Sequence, residues 1–412
     1  MKQTLSRLFG AVLLCVGSLS AAAEIDVMTQ NQYLGADLAP VLGAATAEDF
    51  DAGVFSAAVV QALGKIAAAR PAERVRALAS MIAQRNPDVV GLQEAYMFDC
   101  LPYPGYPAQR GVGCDDATIR GAFSDQLLST VAALKGKYVL AGRVTNLQVP
   151  SLGPEPPLLP GLPFLVNGYP ALLVAADRDA ILVRKGLPAH WVDFAAAGVC
   201  PKPSDQGCNF QVAPPPLETE VGKITIERGF LAVDVMVKGR AYRVFNTHLE
   251  QRLLAPNLPD TRLLQVGQAY ELLGTVFYTW DGSKKVIVVG DINSAPVDTI
   301  PIPPYPETLP WASALPVMPP YQVFTFNGFT DAWTLRPHAR DEGLTCCQAE
   351  NLLNLRSELY ERIDMIFSLT PPSRVLDMKL LGNTMGDKTR PSRLGGLWPS
   401  DHAAVAARLK FD

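Results

Sequence analysis

Several acidic, amide and imidazole residues of this sequence stand where an apolar run ends, which is where α/β enzymes place reactive groups. Glu94 closes the run Val89-Val-Gly-Leu-Gln-Glu94. A carboxylate leaving a buried strand suits a hard cation, since Mg²⁺ takes one or two carboxylates and keeps several waters. The same carboxylate could equally cap the next element. Asp291 and Asn293 follow Val286-Ile-Val-Val-Gly290 at i and i+2, so in extended chain they point to one side. There the aspartate could orient or deprotonate a water and the amide could hold a phosphoryl oxygen. A Gly-Asp-x-Asn run is also an ordinary turn.

Only four histidines are present. His248 lies in Phe245-Asn-Thr-His-Leu249 and His402 in Pro399-Ser-Asp-His-Ala403, beside Asp401. Phosphodiester cleavage needs a proton for the leaving oxygen and positive charge near phosphorus, and imidazole supplies both. A lone histidine is more often structural; two at polar strand ends shift the balance. His190 and His338 have no comparable setting and receive no role. Asp364, in Glu361-Arg-Ile-Asp-Met-Ile-Phe367, could fix a histidine's tautomer or pair with Arg362.

The elements that must position these residues alternate between strand and helix. Ile25–Thr29 reads as a first strand. Pro71 opens a helix in which Val75, Leu78, Ala79 and Ile82 recur at helical spacing. Asn86-Pro87 stops it before the strand 88–94. Leu231, Val233, Val235 and Val237 alternate, Lys238-Gly239-Arg240 turns, and Tyr242 and Val244 resume: a hairpin. Asp260 could cap a helix with Leu263, Leu264, Val266, Leu272, Leu273 and Val276 on its buried side. Lys285–Gly290 is a buried strand. Segments 149–170 and 295–320 are rich in proline and large apolar residues, and read as ordered surface loops or as a contact surface for substrate or membrane.

At 48% hydrophobic and 18% charged residues, the chain has ample material for a core and no signature of disorder. Residues 1–23 read as a signal peptide: Lys2 and Arg7, the apolar stretch Leu8–Val16, then Ala21-Ala22-Ala23. Residues 24–412 would then form the mature protein, secreted or periplasmic. Cleavage removes two basic residues and no acidic ones, leaving 34 against 40, net −6. Such a surface does not favour tight nucleic-acid binding, yet leaves a nuclease open. No later segment is long and apolar enough to span a bilayer, so the mature chain is expected to be soluble. Its six cysteines suit an oxidising compartment. Cys100/Cys114 and Cys200/Cys208 could each close a loop, and Cys346 and Cys347 could join each other or pair elsewhere. Zinc-site spacing is lacking.

In order, Thr29-Gln-Asn31, Leu92-Gln-Glu94, Asn246-Thr-His248, Gly290-Asp-Ile-Asn293, Arg362-Ile-Asp364 and Ser400-Asp-His402 resemble the motifs of the endonuclease/exonuclease/phosphatase superfamily. The resemblance implies an α+β fold: one domain over 24–412, a four-layer sandwich of two mixed β-sheets packed face to face with helices outside. It implies Glu94 as main ligand of Mg²⁺ (or Mn²⁺) with Asn31 beside it, and Asp401 supporting the metal or a second ion. It implies Asp291 on the attacking water, Asn293 on the phosphate, His402 on the phosphate oriented by Asp364, and His248 as general acid. Arg178 and Asp179 are further candidates in the middle third.

The expected activity is metal-dependent hydrolysis of a phosphodiester by in-line attack of water. His248, export and the apolar insertions resemble the neutral sphingomyelinase branch. The alternatives are a secreted Mg²⁺-dependent endonuclease and, in another class, a non-catalytic binding protein on the same scaffold. Partners would be a phospholipid headgroup or nucleic acid, with transient contact to a membrane surface and no obligate protein partner.

Overall fold

The computed structural model describes residues 23–151, 159–220, 222–252, 261–298, 318–336, 341–389 and 395–412. The signal-peptide reading, Asp260, His338 and most of the second proline-rich segment lie outside them. The strands and helices that build the site are β1 (Ala23–Asn31), α1 (Pro71–Arg85), β2 (Val89–Gln93), β3 (Tyr169–Arg184), β4 (Gly229–Val237) and β5 (Arg240–His248). They continue with α2 (Thr261–Thr279), β6 (Lys285–Asp291), β7 (Asp364–Ser368), β8 (Arg374–Leu381) and β9 (Ala404–Phe411).

Two mixed sheets pack face to face. The first runs β8–β9–β1–β2–β3, with Met97–Pro102, Tyr138–Val149 and Leu162–Val166 also on the long β3. Its β1 pairs in parallel with β2 and antiparallel with β9, Ala23 facing Phe411, so the beginning and end of the described chain are neighbours. The second centres on β7–β6–β5–β4, with β5 and β6 parallel and β4–β5 a hairpin turned at Lys238-Gly239.

Alternation explains the layers. Side chains two apart on a strand share a face, so Ile25, Val27, Val89, Ile181 and Val183 of the first sheet meet Val233, Val244, Ile287, Val289 and Ile366 of the second in a dry core. On the outer face of the first sheet, Met28, Val90 and Leu92 receive Ala79 and Ile82 of α1. On that of the second, Val286, Val288 and Phe367 receive Val266, Leu272 and Val276 of α2. Each aliphatic side chain buried this way contributes about 1.5–3 kcal/mol. The result is a helix–sheet–sheet–helix sandwich, an α+β fold.

Gly91 sets the distance between the sheets. A Cβ there would lie 2.5 Å from Asn246 Oδ1 and 2.6 Å from Val289 Cγ2. Through the space it leaves, Gln93 Nε2 donates to Asn246 Oδ1 at 2.6 Å, and Asn246 Nδ2 donates to the carbonyls of Leu92 and Ala180. Asn246 thus serves the sheet interface rather than solvent.

Of the first proline-rich segment, Leu162–Val166 is a strand. Leu162, Phe164 and Val166 face inward onto Phe55, Val59 and Leu63 of the helix Ala52–Ala68, which accounts for their apolar character by packing. Disulfides join Cys100 to Cys114, Cys200 to Cys208 and Cys346 to Cys347. Among the described residues no single helix is long and apolar enough to cross a membrane.

Candidate active site

One lateral row of the second sheet carries much of the chemistry. His248 is the parallel partner of Asp291, and Asp291 is the antiparallel partner of Asp364. Directly opposed residues share a face of the sheet, so three separate segments deliver an imidazole and two carboxylates side by side. Gly290, just before, has φ +149°, and a Cβ there would lie 2.0 Å from the Thr247 carbonyl oxygen; only glycine lets β6 enter this row. Asn293 (φ +50°) and Glu94 (φ +52°) both take left-handed backbone as the chain leaves its strand, a conformation that asparagine tolerates and glutamate rarely adopts.

Asn31, at the end of β1, links the sheets. Its Nδ2 donates to Glu94 Oε1 at 3.1 Å and to Asp291 Oδ2 at 3.2 Å, while its Oδ1 accepts from the Tyr33 amide. Glu94 Oε2 accepts from Leu34 N at 3.0 Å. Asp401 and His402 arrive just before β9. The Ser400 hydroxyl lies 2.7 Å from the Asn31 carbonyl and 3.3 Å from Asp401 Oδ1. His402 Nδ1 is 2.8 Å from Asp364 Oδ2 and 3.8 Å from Asp291 Oδ2. Asp364 pairs with His402, and Arg362 turns instead to Asp331 at 2.7 Å, which settles the choice left open by the sequence. All eight residues singled out there therefore converge: Asn31, Glu94, His248, Asp291, Asn293, Asp364, Asp401 and His402. His190 lies apart, on an edge strand, 3.6 Å from Asp234.

The two histidines are driven in opposite directions. Burial alone would push both imidazoles toward neutrality. At His402 the carboxylates of Asp364, Asp401 and Asp291 override burial and hold the ring's pKa well above the ordinary range. At His248 burial is joined by Arg228 and His402, and the pKa falls well below it. Arg228 Nη1 lies 3.0 Å from His248 Nδ1, Asn293 Nδ2 lies 3.1 Å from Nε2, and the residue is 0% exposed. The resemblance implies a general acid at His248. In the structure this ring lies beneath the carboxylates, 3.1 Å from Asn293 Nδ2 and 3.6 Å from Asp291 Oδ2.

The carboxylates outnumber the cations facing them. Burial raises Asp291 to about 7, with Asp364 adding to the rise. Burial likewise raises Asp401 to about 6, Glu94 pushing the same way and His402 opposing. Asp177 rises to about 7, burial outweighing Arg228. Asp364 Oδ1, Asp177 Oδ1 and Asp179 Oδ1 are buried with no hydrogen-bond partner. A crowd of hard oxygen donors short of positive charge fits Mg²⁺ or Mn²⁺. Glu94 and Asp401, the partly exposed pair, could hold the ion with Asn31. Donor atoms of Asp291, Asp364 and His402 also lie within 4.8 Å of one another, but the 2.8 Å contact commits Asp364 and His402 to each other.

Two arginines escaped the sequence reading. Arg74, on the buried face of α1, donates to the carbonyls of Gln32, Tyr33, Ala69 and Pro399, tying the loop behind Asn31 to the segment that brings Asp401 and His402. Its only sequence signal is a basic residue on an apolar helix face. Arg228, between β3 and β5, sits 3.7 Å from Asp177 and 3.5 Å from Glu250; no motif marks it. Of the two middle-third candidates, Asp179 is buried and accepts from Asn146 at 2.8 Å, whereas Arg178 turns away to grip Asp125.

No protein-family model and no curated protein matches the chain. Solved structures do, at low identity. A Bacteroides thetaiotaomicron endonuclease/exonuclease/phosphatase family protein is similar at 15% identity and TM-score 0.48, over 95% of this chain and 99% of that one. A mannosyl-6-phosphatase of the same organism gives 15% and 0.46, over 94% and 100%. Truncated TDP2 of Caenorhabditis elegans gives 16% and 0.44, over 94% and 98%.

Proposed function

We propose that the chain is an exported, metal-dependent phosphoric diester hydrolase with a sphingomyelinase-like preference. The observation that carries this reading is the meeting of Asn31, Glu94, Asp291, Asn293, Asp364, Asp401 and His402 in one acidic site crossed by a single strongly cationic imidazole. Glu94, Asp401 and Asn31 would hold Mg²⁺ or Mn²⁺, which when bound supplies Lewis-acid neutralisation of phosphoryl charge.

The protein's own groups account for the rest. Asp291 is held from both sides, Oδ1 accepting the Asn293 amide at 2.9 Å and Oδ2 accepting from Asn31. A carboxylate raised toward 7 is matched to taking a proton from the attacking water near neutral pH. The Asn293 side-chain amide, which donates to the Leu249 carbonyl at 2.9 Å and lies 3.1 Å from His248 Nε2, would exchange one of these partners for a phosphoryl oxygen. His402, whose pKa Asp364 raises, would meet the phosphate and offset charge in the transition state. The disulfides suit an oxidising compartment, in line with export.

The test is hydrolysis of bis-p-nitrophenyl phosphate, sphingomyelin vesicles and plasmid DNA by the purified chain, each with Mg²⁺ and with EDTA. EDTA-sensitive release from the synthetic diester, with sphingomyelin preferred to DNA, is expected. Preference for DNA would move the reading to a secreted endonuclease. EDTA-resistant turnover, or none on any diester, would overturn it.

A further inference from the structure

The segment Thr345–Gln348 is strapped across the site by backbone bonds. Ala403 N donates to Thr345 O at 2.8 Å and Gln348 N donates to Asp401 O at 2.9 Å, so Cys346 and Cys347 lie between two ties that flank His402. On its other side the Thr345 hydroxyl accepts from the amides of Ile363 and Asp364, and Cys346 pairs with Glu361. The strap is therefore fixed to both segments that bring Asp364 and His402. Donor atoms of Cys346, Cys347 and His402 all lie within 4.8 Å of one another, Cys346 buried and Cys347 partly exposed.

We propose that reduction of the Cys346–Cys347 disulfide opens a second metal site, made of the two sulfurs and the His402 imidazole, for a thiophilic divalent cation such as Cd²⁺ or Zn²⁺. With a phosphine as reductant, the Sγ–Sγ bond breaks and phosphorus is oxidised to the phosphine oxide with oxygen from water. The two protons of that water go to the sulfurs, and the cation then displaces them, together with one proton of the His402 imidazolium, to solvent. Thiolate and imidazole are soft and borderline donors that favour such ions, whereas the oxygen donors of Glu94 and Asp401 favour Mg²⁺. The two sites are thus told apart by ligand hardness while sharing one neighbourhood. Resting on the hydrolase reading, one consequence follows: a cation here takes His402 from the phosphate and inhibits. The binding itself does not depend on that reading.

The whole chain, reduced with a water-soluble phosphine and freed of it without air, is titrated with Cd²⁺ and followed by thiolate-to-cadmium charge-transfer absorbance. The control is reduced C346S/C347S, which keeps the other two cysteine pairs. The reduced wild type should bind one more Cd²⁺ per chain than this control, and the oxidised chain should lack that equivalent. His402→Gln, chosen to keep a polar side chain and verified by its melting curve, should weaken the extra site by roughly tenfold or more. Identical titrations of reduced wild type and C346S/C347S would overturn the proposal. So would undiminished affinity in a folded His402→Gln chain, which would leave the imidazole out of the site.

Discussion

Asp364→Asn is the most informative single change at the site. Asp364 is 1% exposed and its Oδ2 lies 2.8 Å from His402 Nδ1, so the pair is ionic, hydrogen-bonded and out of water. Removing one partner of such a buried pair costs about 3–5 kcal/mol. The amide keeps an acceptor of the same shape, returning roughly 1 kcal/mol. The net loss of about 2–4 kcal/mol, if felt in the transition state, lowers kcat about 30- to 1000-fold, at 1.36 kcal/mol per tenfold. The pH profile carries the sharper signature. Asp364 is among the carboxylates that hold His402's pKa above its unfolded value, so the imidazolium persists at low pH and is lost as pH rises through the folded value. Without Asp364 that value falls, and the alkaline limb of kcat for bis-p-nitrophenyl phosphate must move to lower pH; the acid limb, set by Asp291, moves the same way, because Asp364 also adds to the rise of Asp291. A variant whose kcat is within threefold of wild type, with its alkaline limb unmoved, would refute the assignment of His402 as the cation on the phosphate.

Glu94→Gln keeps the shape and one acceptor but removes a formal charge from the partly exposed donors; the Mg²⁺ concentration for half-maximal activity should rise roughly tenfold or more, with little change at saturation. An unaltered Mg²⁺ titration would remove Glu94 from the ligand set. Gly91→Ala inserts a methyl 2.5 Å from Asn246 Oδ1 and 2.6 Å from Val289 Cγ2; overpacking of this kind costs about 1–3 kcal/mol, to be read as a lower midpoint in urea. A midpoint equal to wild type would mean that the sheets are not held at the separation described.

The parts of the site that could be read from sequence share one property: their position is set by local pattern. Glu94, Asp291 and His248 end runs of alternating or continuous apolar residues, and a polar residue at the end of a buried strand advertises itself. The elements were legible for the same reason, from the alternation of β4 and β5, the continuous apolar runs of β2 and β6 and the 3.6 period of α1, whereas the four-layer arrangement came from the resemblance. What stayed illegible depends on register. Nothing local says that Asp291 is opposed to Asp364 or that His248 lies beside Asp291, so the row across three strands could be matched only by resemblance. Arg74 and Arg228 were invisible because each serves carbonyls or carboxylates from distant parts of the chain, and a buried arginine in sequence looks like a surface one.

That same register explains why His248 and His402 differ. Both rings are buried within 4 Å of Asp291 Oδ2, so proximity to that carboxylate cannot separate them. Arg228, brought from outside the strand row, sets its guanidinium against His248 Nδ1 and supplies the positive charge there that makes a second cation costly. On the other flank Asp364 Oδ2 lies 2.8 Å from His402 Nδ1, and Asp401 adjoins it in the chain. A like charge disfavours protonation and an opposite charge favours it, so two buried imidazoles of one site are shifted in opposite directions, His248 down and His402 up. The difference thus lies in Arg228 beside His248 and in Asp364 and Asp401 beside His402, on top of the burial that both rings share.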